Sequence, residues 1–138
     1  MRLEALCAAV AAAVLLTACT KKAETQAEVQ RDVAKAQAEG QREVADARAD
    51  AQEANADANK QVADAIADRD DKDVARQAQD ANETEDKGRS KILLAQAEAD
   101  HKVAVEKCEA LTGPAQKECK DTADRTYDQA KQMAEAKR

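Results

Sequence analysis

Few side chains in this 138-residue chain could do chemistry: cysteines at 7, 19, 108 and 119, the single histidine His101, the single serine Ser90, and a dense run of carboxylates between Asp64 and Asp86. Cysteines can bridge, bind a soft metal or act as nucleophiles, depending on compartment and neighbours. Cys108 and Cys119 are the informative pair. In one continuous helix they would stand about 16 Å apart along the axis, beyond the roughly 4.4 to 6.8 Å between Cα atoms that a disulfide needs. Gly113 and Pro114 lie between them. Glycine is favoured just past a helix end and proline in the first turn of the next helix, so Gly113-Pro114 reads as the turn of an antiparallel helical hairpin. The cysteine spacing is not Cys-x-x-Cys, and Lys107, Lys117 and Lys120 mix with Glu106, Glu109 and Glu118, which speaks against a redox-active pair.

The remaining candidates form no catalytic constellation. Ser90 sits in a polar stretch and His101 in an amphipathic one, with no aromatic wall to shield a pocket: phenylalanine and tryptophan are absent and Tyr127 is the single tyrosine. No glycine-rich phosphate loop or dinucleotide fingerprint is present. Asp68, Asp70, Asp71 and Asp73 offer oxygens of the kind calcium takes, but no loop glycine lies among them and Arg69 and Lys72 interrupt the set, so they read as a solvated charged run. His101 lies two helical turns from Cys108 without a third ligand, so no metal is expected. The expectation is a non-enzymatic protein without a cofactor. No clustered basic face suggests nucleic acid.

At the other end of the chain, Met1-Arg2 precedes an uncharged apolar run from Ala5 to Leu16, followed by Thr17 and Ala18. This is the layout of a secretory signal, too short to span a bilayer as a stable helix. Leu16-Thr17-Ala18-Cys19 resembles the lipobox of bacterial lipoproteins. The resemblance implies that residues 1–18 are removed and that Cys19 is acylated and becomes the mature N-terminus. Two or more acyl chains retain a protein on a membrane where one gives marginal binding. In the lipoproteins it resembles, the residue after the cysteine influences sorting, and Thr20 is not the aspartate that retains them in the inner membrane. The implied location is the periplasmic face of the outer membrane. An exported chain meets oxidising conditions, which favours a structural Cys108–Cys119 disulfide.

The elements that must carry these residues are helices. The chain is 43% hydrophobic but 1% aromatic, 36% charged and net −6, with alanine supplying most of the apolar count. Alanine forms helices readily and buries little surface, so the fold class is all-α with a small core. After a tether at 19–28, the sequence repeats in steps of eleven from Val29: VQRDVAKAQAE, GQREVADARAD, AQEANADANKQ, VADAIADRDDK and a degraded DVARQAQDANE. Eleven residues make three turns at about 3.67 per turn, so equivalent positions stay near one face. The stripe Val29, Val33, Ala36, Gly40, Val44, Ala47, Ala51, Asn55, Ala58, Val62, Ile66 and Arg69 is thin, interrupted by Gly40, Asn55 and Arg69. It suits either an interface, with another copy or a partner helix, or a single solvated helix. A long helix is expected over 29–81, reaching on the order of 85 Å from Thr25. A polar break is expected at 82–90, around Gly88, and a disulfide-closed hairpin over 91–138. Across the Gly113-Pro114 turn, facing residues have numbers summing to about 227, pairing Ala104 with Ala123, Ala97 with Ala130 and Leu94 with Met133.

Taken together, lipobox, alanine-rich helix and basic C-terminus resemble the small helical outer-membrane lipoproteins of Gram-negative bacteria, the murein lipoprotein in kind. The resemblance implies an envelope spacer or structural element, helices that can form a homo-oligomer, and a C-terminal lysine joined to peptidoglycan. Here that lysine is Lys137, with Arg138 after it. The region from Val103 also resembles a two-cysteine helical module of exported proteins. The other class of function is an adaptor or stress-protective protein that engages an envelope partner through its hairpin or rod.

Overall fold

The computed structural model describes residues 23–136. The signal segment, Cys19 and Lys137 lie outside the described residues. Helix α1 spans Gln26–Ala67, α2 Asp71–Cys108 and α3 Gly113–Glu135, and no strand occurs among the described residues. Helix α1 starts at a capping box: the Glu28 N–H donates to Thr25 Oγ1 at 3.3 Å, and the Thr25 N–H donates to Glu28 Oε2 at 2.8 Å. It ends at Asp68, where Arg69 turns into the left-handed region with φ of 57°.

This turn corrects the expected architecture. The helix expected over 29–81 stops at Ala67, and the break expected at 82–90 is helical throughout, inside α2. Asp70 starts α2: its Oδ1 accepts from the N–H groups of Lys72 and Asp73, both at 3.1 Å, while Asp71 and Asp73 place negative charge at the positive end of the helix dipole. The aspartates of this segment therefore serve a chain reversal. The sixth-position alanines of the eleven-residue pattern, Ala67 and Ala78, continue on either side of the turn, which is why the pattern hides the break. Its sixth-position alanines Ala34, Ala45 and Ala56 are exposed, so they support helix formation rather than packing.

With the chain reversed, α1 lies antiparallel along α2, and the partner of the eleven-residue stripe is α2 of the same chain. Val29, Ala36, Gly40, Val44 and Ala51 are buried, but Ile66, expected on the same stripe, is 58% exposed beside the turn, and Ala65 is buried in its place. The contact is close because two glycines allow it. A Cβ on Gly40 would fall far inside contact distance of Ala99 Cβ and 3.1 Å from its Cα, and one on Gly88 would meet Ala51 Cβ at 2.9 Å. Gly88 is thus a packing residue, not a breaker. Lys102 Nζ adds an ion pair to Glu43 Oε1 at 2.6 Å, half-exposed and so largely screened by solvent.

Helix α3 packs on α2 and not on α1. At about 100° per residue, the α2 positions facing α1 (Gly88, Ala99) and those facing α3 (Ser90, Ala97, Ala104, Cys108) lie on opposite sides of the helix. The result is a layer one helix thick with α2 in the middle. The first seam follows an eleven-residue spacing and the second a seven-residue one, since 90, 97 and 104 are seven apart. Ser90 and Ala134 are fully buried, and the Ser90 hydroxyl donates to the Ala134 carbonyl at 2.8 Å, satisfying one of the carbonyls left open at the end of α3. The packed region therefore extends well beyond 91–138.

Candidate functional site

Of the residues that could do chemistry, Cys108, Cys119, His101 and Ser90 lie along the seam between α2 and α3, whereas the carboxylates from Asp68 to Asp73 lie at the α1–α2 turn. The turn joining these helices runs through Leu111, whose N–H donates to the Cys108 carbonyl at 3.0 Å, to Gly113, whose φ of 60° suits a residue without a side chain. Pro114 follows in the first turn of α3. Cys108 and Cys119 stand 5.7 Å apart between Cα atoms and form a disulfide, with Cys108 1% exposed. Glu109 is bound from across the turn by Gln116 Nε2 at 2.7 Å and by Lys120 Nζ, so the closed end of the hairpin is tied by side chains as well as by sulfur.

Beyond the disulfide, the seam opens into a shallow groove of about 380 Å³. Ala97, Ala104, Ala123 and Ala130 contribute to it, with Asp100 and Lys107 on the α2 side and Thr122 and Thr126 on the α3 side. The expected facing pairs Ala104 with Ala123 and Ala97 with Ala130 thus line one groove. Met133, expected opposite Leu94, is instead 64% exposed, and the neighbouring Ala134 is the buried residue of that turn.

His101 also lines the groove, against Tyr127 at 5.1 Å between ring centroids, and its Nε2 lies 2.7 Å from Asp124 Oδ1. A histidine–carboxylate pair can relay a proton if a nucleophile stands beside it. Here the nearby cysteines are in a disulfide, and the Ser90 hydroxyl is buried against the far end of α3. His101, expected merely as an amphipathic-face residue, links α2 to α3 through Tyr127 and Asp124. Its spacing of seven from both Leu94 and Cys108 was the signal for that role.

A second cluster lies where the described chain begins. The Glu24 N–H donates to the Glu109 carbonyl at 3.1 Å, tying the segment before α1 to the α2–α3 turn. Glu24, Asp32 and Glu106 bring carboxylate oxygens within 4.8 Å of one another. Removal from water and then the negative charges of Asp32, Glu109, Glu106 and Glu28 hold the Glu24 carboxyl above its ordinary range. No stretch of the sequence marks this convergence, because it needs the α1–α2 reversal, which brings the start of α1 beside the end of α2. Among the described residues no helix is long and apolar enough to cross a membrane. The chain matches no protein-family model, no curated protein and no solved structure.

Proposed function

We propose that this chain is a non-enzymatic lipoprotein of the outer membrane, anchored through acylated Cys19 with its helices in the periplasm, and that it acts as a spacer or structural element of the cell envelope. The observation that carries this reading is Leu16-Thr17-Ala18-Cys19 at the end of an uncharged apolar run. The hydrogen bond from Glu24 to Glu109 supports an arrangement in which the anchored end is also the disulfide-closed end. From there α1, with 42 residues, reaches about 63 Å to the turn at Arg69. This is shorter and stiffer than a single solvated rod, because the reach is made by two helices held side by side. On the same reading Lys137 would serve as a link to peptidoglycan.

The test is the mass of the mature protein released from native cell envelopes. Acyl chains on Cys19 with residues 1–18 removed support the reading, and a wall fragment on the C-terminal peptide extends it to a tether between membrane and wall. An unmodified Cys19 overturns it. A second reading, an adaptor that holds an envelope partner, is favoured by the apolar groove beside the disulfide. Loss of a captured partner on Cys108→Ser would support it.

A further inference from the structure

We propose that the groove between α2 and α3 is the contact face of a symmetric dimer, and that its occupant is the same groove of a second copy of this chain. The stripe on α1 is covered by α2 from Val29 to Ala51, whereas the groove is, among the described residues, an apolar face left open. Its floor is alanine, which lets helices approach closely. Leu93 on α2 and Met133 on α3, on the same side of their helices as the groove, are 40% and 64% exposed.

The charges on the rim select the occupant and its direction. Asp100 and Lys107 lie on the same side of α2, seven residues and so about 10.5 Å apart, and are of opposite sign. Lys107 has no ion-pair partner among the described residues, and Asp100 accepts a hydrogen bond from Gln96 Nε2 at 3.1 Å. A two-fold axis crossing α2 between Val103 and Ala104 sets each Asp100 opposite the partner copy's Lys107, twice over. A parallel arrangement would set like charges against each other and is disfavoured. The pattern along α2, Leu93, Ala97, Asp100, Ala104 and Lys107, steps by four and three, which keeps one stripe in contact with an antiparallel neighbour. Such a pairing uses one patch on both copies and closes on itself.

The test is sedimentation equilibrium of the full chain over a wide concentration range, for the wild type, Asp100→Lys, Lys107→Asp and the double exchange Asp100→Lys with Lys107→Asp. Both substituted positions are at the surface, and helicity checks that each variant folds. The wild type is expected to dimerise, each single variant to weaken the dimer about tenfold or more because it creates two like-charge pairs, and the double exchange to restore it. A wild type that stays monomeric overturns the proposal. So does a dimer indifferent to the single changes, or one that the double exchange fails to restore, since either would place the contact on another face. Occupancy of the groove by an unrelated partner in place of a second copy would overturn it as well.

Discussion

Replacing Gly40 by alanine should destabilise the protein, although the same change in an exposed helix stabilises it. In an isolated helix Gly→Ala gains about 1 kcal/mol. At Gly40 the added methyl would meet Ala99 at both its Cβ and its Cα, and a backbone carbon cannot rotate aside, so α1 and α2 must separate along part of their length. Overpacking of this kind costs about 1 to 3 kcal/mol, and a clash with backbone belongs at the upper end. The net expectation is a loss of about 1 to 2 kcal/mol, or about 4 to 16 °C in Tm. Gly88 is the internal comparison. Its added methyl would stand 2.9 Å from the Ala51 methyl and 3.5 Å from its Cα, a smaller intrusion that the helix-propensity gain roughly offsets. Urea and thermal unfolding of both variants, with Gly40→Ala also combined with Ala99→Gly, measure the effect. Gly40→Ala should be clearly worse than Gly88→Ala, and Ala99→Gly should relieve part of its cost. If Gly40→Ala instead raised stability by about 1 kcal/mol, Gly40 would be a solvent-facing residue and the seam described here would be wrong.

Because α3 touches α2 and not α1, cutting the disulfide should release α3 selectively. Cys108→Ser with Cys119→Ser should cost roughly 3 kcal/mol for a loop of this size, and amide exchange should rise along α3 while the α1 amides stay protected. Asp70→Ala removes the acceptor of two N–H groups at the start of α2 and should lower stability by about 1 kcal/mol in thermal unfolding, whereas loss of a freely solvated aspartate would change nothing. Glu24, whose carboxyl titrates above its ordinary range, is disfavoured in its charged form by the folded state. The contact that ties it to Glu109 should therefore be strongest at low pH and weaken as pH rises through the raised value. Amide exchange at Glu24, corrected for its intrinsic pH dependence, should show that loss of protection, and Glu24→Gln should abolish it.

The legible and illegible parts of this fold differ in their local chemistry. The α2–α3 reversal was readable because Gly113-Pro114 supplies both a left-handed residue and a helix-starting proline, and because small residues mirror one another about it. The stripe from Val29 to Val62 was readable as a face, though not as the face that covers α2. The α1–α2 reversal was obscured for two reasons: Arg69 takes the left-handed conformation without being glycine, and the eleven-residue repeat continues across it. A signal is nonetheless present, since Asp70 followed by Asp71 and Asp73 is a helix-start pattern, which a reading of the segment as a solvated charged run passes over. Gly88 shows the limit from the other side. A glycine in a polar stretch looks like a break until the helix that crosses it, here at Ala51, is known. The hydrogen bond from Ser90 to Ala134 spans 44 residues and depends on both partners being buried, which no local pattern announces.

The central structural claim is that α1 folds back along α2 within one chain, and zero-length coupling of lysine to carboxylate tests it most directly. Lys102 Nζ lies 2.6 Å from Glu43 Oε1, although the two residues are 59 apart in sequence. A carbodiimide reaction on a mixture of isotopically light and heavy chains should yield a Lys102–Glu43 cross-linked peptide made of one isotope only. Absence of that peptide, or its recovery with light and heavy halves combined at random, would mean that α1 is an extended rod or pairs between chains, and would contradict the account.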